Sequence, residues 1–235
     1  MTDIENPLAE RRGVCFSEAA FDTKKEIEGV TAERCNASID AVNALMAKEV
    51  IPLLVTPDDA LVKGISPDII IDGIMAKRNT GTSINDAPLV IALGPGFYAG
   101  RDAHYVIETN PNIPGLATII DKGYAEKHTG IPTNVLGKSL ERLLLSPGTG
   151  MLYAEKDIGD PVIEGEIIGH VGERKLISPI PGHVWGIIRT PANVKEGQKL
   201  GDIHPGNDRD ACFKITPQAK KITAGVIEAI ARRYP

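Results

Sequence analysis

The chain has 235 residues, enough to bury a sizeable core as one large domain or two smaller ones. Its net charge of −5 and its few aromatics (one Trp, five Tyr, four Phe) exclude the basic, stacking surface of a nucleic-acid-binding protein. Nor is there an apolar run near the roughly 18 residues that suggest a membrane-spanning helix, and the charged start (Asp3, Glu5, Glu10, Arg11, Arg12) does not read as a secretion signal.

In chain order, Thr31 to Ala47 places Cys35, Ile39, Val42 and Leu45 at spacings of three and four, which predicts an amphipathic helix. Ile51 to Val55 is a short apolar strand, closed by turn residues Thr56-Pro57-Asp58-Asp59. A second strand, Ile69-Ile70-Ile71, runs into Asp72-Gly73-Ile74-Met75-Ala76-Lys77-Arg78-Asn79, and a third, Pro88 to Leu93, runs into Gly94-Pro95-Gly96-Phe97. Tyr105 to Ile107 is a further strand, ending at Glu108-Thr109-Asn110, and Leu116 to Ile120 another. From Thr133 the stripe Val135, Leu136, Leu140, Leu143 and Leu144 predicts a helix. This alternation predicts a mainly parallel sheet flanked by helices.

Ser146 to Gly150 interrupts the pattern and is the candidate domain boundary. Beyond it, V-x-E-G-x-x-[I/L]-G occurs at Val162 to Gly169 and again at Val194 to Gly201, 32 residues on. Two similar β halves predict a compact barrel or sandwich, and the segment Ser178 to Val184 resembles the opening of the second half of biotinyl and lipoyl carrier domains, which are barrel-sandwich hybrids. Thr216 as cap, Pro217 at the first position and Ile222, Val226, Ile227 and Ile230 inward predict a C-terminal helix. The expected division is an α/β domain at 1–148, a small β domain at 149–206, and 207–235 packing back on the α/β domain.

Open parallel sheets bind ligands beyond the carboxyl ends of their strands, so the polar clusters there carry the candidate site. Gly94, Gly96 and Gly100 form G-x-G-x-x-x-G, which suits close approach to an anion or simply a tight turn. Asp72 reads as an acceptor for ribose hydroxyls or as a turn cap, and Lys77 and Arg78 as a phosphate clamp or as solvated charges. Asn79, Glu108, Thr109 and Asn110 join the same edge. Asp102 and His104, two apart, suit an acid–base pair, and His104 equally suits a hydrogen-bonded core position. The histidines show no metal-ligand spacing. Cys15, Cys35 and Cys212, lacking a C-x-x-C pair, read as reduced thiols of a cytoplasmic protein.

Three strings carry a family resemblance: Asp72 to Asn79; Gly94 to Phe97 with Ala99, Gly100, Asp102, His104 and Val106 to Asn110; and Gly225-Val226-Ile227-Glu228-Ala229-Ile230. With Asn6 to Arg12 and Phe16 to Ala19, they resemble the YqeB-type family attached to selenium-dependent molybdenum hydroxylase systems, over nearly the whole chain. The resemblance implies a Rossmann-like domain, an accessory role in maturing a molybdenum hydroxylase, and, by analogy with XdhC-type accessory proteins, a nucleotide or molybdopterin-type ligand. It also implies a first strand and G-x-G loop ahead of the segment matching Glu5 to Arg12, a βα unit this chain is expected to lack. The alternatives are a nucleotide-dependent redox or transfer enzyme using Asp102 and His104, or a scaffold docking a partner through its β domain.

Overall fold

The computed structural model describes residues 1–57 and 59–235; Asp58, part of the expected turn after Val55, lies outside them. Residues cluster into two units, each made of two stretches of chain: Met1–Leu61 with Asn134–Lys214, and Val62–Thr133 with Ile215–Pro235.

The first unit opens with β1 (Thr2–Asp3), α1 (Ala19–Asp22), β2 (Lys24–Ile27), β3 (Val30–Arg34), α2 (Ile39–Met46) and β4 (Ile51–Val55). These strands form one sheet in the order β1-β4-β3-β2, with β1, β4 and β3 parallel. The expected helix from Thr31 is therefore corrected at its start. Ile27 pairs with Val30, leaving a two-residue loop of Glu28 and Gly29, both at positive φ. That turn suits a tight hairpin and draws Thr31 to Arg34 into a strand. The helix begins only after Ser38, whose hydroxyl accepts the Ala41 N–H at 3.2 Å.

After α3 (Asp59–Ile65), the second unit contributes β5 (Ile69–Asp72), β6 (Leu89–Leu93), β7 (Tyr98–Ala99), β8 (Tyr105–Ile107), β9 (Ile119–Ile120) and β10 (Gly123–Tyr124). Its main sheet is β5-β6-β8-β9, the first three parallel, and β7 pairs with β10 as a separate ribbon. Strand length follows burial. Leu89, Val90, Ile91 and Ala92 are wholly buried, whereas Leu116 is 81% exposed and the strand expected from it begins only at Ile119. Val90, Ala92 and Val106 pack with Phe97, Ala99 and Ala125 of the ribbon side.

Residues 134–204 return to the first unit as β11 (Leu143–Leu145), β12 (Gly150–Ala154), β13 (Pro161–Val162), β14 (Ile167–Val171), β15 (Arg174–Ile177), β16 (Gly182–Ile187), β17 (Ala192–Val194) and β18 (Lys199–His204). The helix expected from Thr133 does not form. Leu136 and Gly137 take positive φ, which ends any helical run, and Leu143 to Leu145 pair with β18. Two antiparallel sheets result, β11-β18-β16-β13 and β15-β14-β12-β17, and Leu152, Ile168, Leu176, Val184, Leu200 and Ile203 share the core they enclose.

The sequence repeat is structural and extends further than the motif. Gly165 and Gly197 occupy matching turns at φ +80 and +73. Glu166 accepts the Ile163 N–H, and Gln198 the Lys195 N–H. Each turn is gripped by the serine of the other half: Gly165 N–H donates to Ser178 O, and Gly197 N–H to Ser146 O. The expected boundary at 148 falls inside this unit. Ser146 belongs to the first copy of the repeat, as Ser178 does to the second, so residues on both sides of 148 lie in one unit.

The N-terminal segment is stitched to these sheets by arginines. Arg12 Nε donates to Ile187 O at 2.8 Å, and Arg11 stacks on Trp185 at 4.2 Å. Arg189 reaches the buried Glu18 at 2.7 Å. Cys212 is wholly buried, and the three cysteines are free thiols.

Last comes α4 (Pro217–Arg233), capped by Thr216 as expected. Ile222, Val226, Ala229 and Ile230 pack against Leu89, Ile91 and Ile107, on the sheet of the second unit. Gly225 permits this approach, because a Cβ there would meet the Ala117 Cβ at 2.8 Å.

Candidate functional site

The parallel strands β5, β6 and β8 end in register, with Asp72 beside Ala92 and Leu93 beside Ile107. Their outgoing loops meet. At Gly96, with φ +112, an added Cβ would lie 2.5 Å from the Cα and N of Arg78. Only glycine allows that approach, and it brings the glycine bend onto the Lys77–Arg78 backbone. Gly94 lies as closely on the Thr109 side chain, and its N–H donates to Ile107 O at 2.8 Å. Asp72, Lys77, Arg78, Gly94, Gly96, Glu108 and Thr109 therefore share one rim of the sheet.

The charges at this rim divide sharply. Asp72 is buried and accepts from Ile74 N–H at 3.0 Å and the Thr82 hydroxyl at 2.6 Å. Asn79 turns the same loop, accepting from Gly81 N–H and donating to Thr82 O. Glu108, also buried, accepts three backbone N–H groups, from Thr109, Asn110 and Glu126, at 2.7 to 2.8 Å. Asn110 donates to the Glu126 carboxylate at 2.6 Å. These acids organise backbone. Lys77 and Arg78 are exposed, and among the described residues neither side chain has a hydrogen bond or ion pair. Met75 and Lys77 both take positive φ (58 and 62), a conformation that costs non-glycine residues energy and is common where a loop serves a ligand. Burial, and then the charge of Lys77, hold the pKa of His128 below its ordinary 6.5.

The other candidates lie elsewhere. His104 is tied by two bonds to Val90, its backbone N–H to Val90 O and its Nδ1 accepting Val90 N–H at 3.0 Å. Val90 stands at the amino end of β6, about 13 Å of strand from Gly94, so His104 sits at the opposite rim. Asp102 accepts Tyr98 N–H and a two-pronged bond from Arg101, whose hydrogen bonding is the main force lowering its pKa. Gly100 closes the same turn by donating to Ala103 O. The acid–base pair is thus not brought to the cationic rim. Thr82 and Glu126 are the rim residues that sequence reasoning missed. The turn string Asn79-Thr80-Gly81 signals Thr82, whereas Glu126 arrives only through pairing of β10 with β7.

Because Nδ1 of His104 accepts a hydrogen bond, the ring is neutral, and burial followed by the Arg233 charge depresses its pKa. A base depressed in the fold contributes fully above its unfolded pKa and loses that contribution as pH falls below it. His128 and His204 are depressed as well, with the same sign. The urea midpoint is expected to fall as pH drops from about 7 to about 5, and His104→Gln to flatten part of that fall.

Among the described residues, no three His, Cys, Asp or Glu side chains are grouped to hold a metal ion, and no helix is long and apolar enough to cross a membrane. The molecule is a mixed α/β protein with several sheets containing parallel strands, a C-terminal helix and a cationic rim. It is similar to the uncharacterised protein YqeB of Escherichia coli (strain K12), at 37% identity over 230 residues, 98% of this chain. The chain spans 42% of that relative's length. No protein-family model matches it. Among solved structures, a succinylglutamate desuccinylase/aspartoacylase from Rhodobacter sphaeroides is similar over 36% of this chain and 30% of its own, with 20% identity and a TM-score of 0.25, too slight a likeness to carry an argument.

Proposed function

We propose that this protein is an accessory factor of a selenium-dependent molybdenum hydroxylase system, binding a nucleotide or molybdenum-cofactor-like ligand at the carboxyl rim of a Rossmann-like sheet. The paired antiparallel sheets form a barrel-sandwich-hybrid-like body. The similarity to YqeB along 98% of the chain supports the family context. The observation that carries the reading is the seating of Gly96 on the Arg78 backbone, which makes one rim of two loops otherwise 18 residues apart (96 − 78). The residues fit a group of this kind. Bound there, such a cofactor would present phosphate to Lys77 and Arg78, and the partner hydroxylase, not this chain, would use its redox chemistry.

The test is maturation in cells. Arg78→Ala should abolish activity of the partner hydroxylase while the accessory protein accumulates folded at its normal level. Full hydroxylase activity alongside that variant rejects the reading.

A further inference from the structure

Two features bear on what part of a ligand this rim takes, and the inference rests on the reading above. First, the buried carboxylates there are consumed by the protein's own donors: Asp72 by Ile74 N–H and the Thr82 hydroxyl, Glu108 by three backbone N–H groups. A buried carboxylate with both oxygens already engaged by the protein's own donors is a poorer acceptor for sugar hydroxyls and a poorer ligand for a divalent cation. Second, Lys77 and Arg78 stand exposed at the rim with no acidic partner among the described residues, although the chain as a whole carries a charge of −5.

Unpaired cations of like sign repel one another, and a fold keeps them together at some cost. Here they are also held on a loop with two non-glycine residues in the left-handed region, a conformation that spends further stability. A multiply charged oxyanion would relieve the repulsion, and the planar Arg78 fork would take two of its oxygens. We infer that Lys77 and Arg78 form a subsite for a phosphate or diphosphate group, which the protein binds directly, without a bridging divalent cation. Asp72 acts there as a positioning residue for the loop.

The test is calorimetric titration of the full chain with inorganic phosphate, pyrophosphate and a nucleoside diphosphate, each in the presence of a chelator. Pyrophosphate should bind at least tenfold more tightly than phosphate, and added Mg²⁺ should not strengthen binding. Arg78→Gln and Lys77→Asn should each weaken pyrophosphate binding about tenfold; asparagine tolerates the left-handed backbone at 77, so the loop keeps its path. Lys77→Arg should retain binding. A gain from the nucleoside diphosphate over pyrophosphate would show that the base and sugar also find contacts. Pyrophosphate affinity unchanged in both charge-removing variants, or dependent on Mg²⁺, overturns the inference. Binding that follows these expectations while Arg78→Ala leaves hydroxylase maturation intact would preserve the subsite and reject the accessory role.

Discussion

Gly96→Ala should destabilise the second unit by about 3 kcal/mol, the sum of roughly 1–2 for a left-handed non-glycine residue and roughly 1–3 for overpacking. The collision cannot be relieved by a side-chain rotation, because the atoms in the way are the Cα and N of Arg78. Either the glycine bend or the 77–78 segment must retreat, and both belong to the rim. Urea unfolding followed by far-ultraviolet circular dichroism measures the loss, and pyrophosphate affinity should fall in the same variant. A wild-type midpoint together with wild-type affinity would mean the two loops do not touch in solution.

Asp202→Ala should cost about 3–5 kcal/mol, as expected when one member of a buried ion pair is removed. Asp202 is 5% exposed and Arg142 is 2% exposed, with Nη1 to Oδ2 at 2.8 Å. The change leaves the Arg142 guanidinium in place and removes the carboxylate it faces. Lys199, 3.5 Å from the same oxygen, loses that contact too. The single tryptophan reports on this neighbourhood, because Arg142 and Arg11 both lie over the ring of Trp185. Trp185 fluorescence should show an early transition in urea. A midpoint within error of wild type would mean that the pair is nearly neutral and that the fold relaxes around the arginine.

Local chemistry made some elements readable from the residues alone. Ile51 to Val55 and Tyr105 to Ile107 were legible because each is an apolar run ended by polar or turn-forming residues. Thr216 followed by Pro217 announced α4, since the hydroxyl caps and the missing N–H costs nothing at a first turn. The first glycine of each copy of the repeat, Gly165 and Gly197, marked a turn that takes positive φ. What failed was long-range. Val135 to Leu144 has helical spacing, yet Leu143 and Leu144 were claimed by pairing with residues some 55 positions later, Leu144 with Gly201 (201 − 144 = 57). His104 looked poised beside Asp102, but the parallel pairing of β8 with β6 sets it next to Val90 and away from the rim. The convergence of Asp72 to Asn79 with Gly94 to Gly96 was legible because it needs only the rule for strand ends. Glu126 was not, because a separate ribbon delivers it.

The interleaving of the two units bears on how the molecule is made. The first unit closes only when Arg11 and Arg12 meet Cys212 and Ile187, residues that leave the ribosome long after their partners. Until then the nascent chain carries an N-terminal sheet without the later strands of its unit while the segment from Val62 to Thr133 emerges, itself waiting for α4. Both units therefore depend on later-synthesised sequence, and translation cut short before α4 leaves the second unit incomplete.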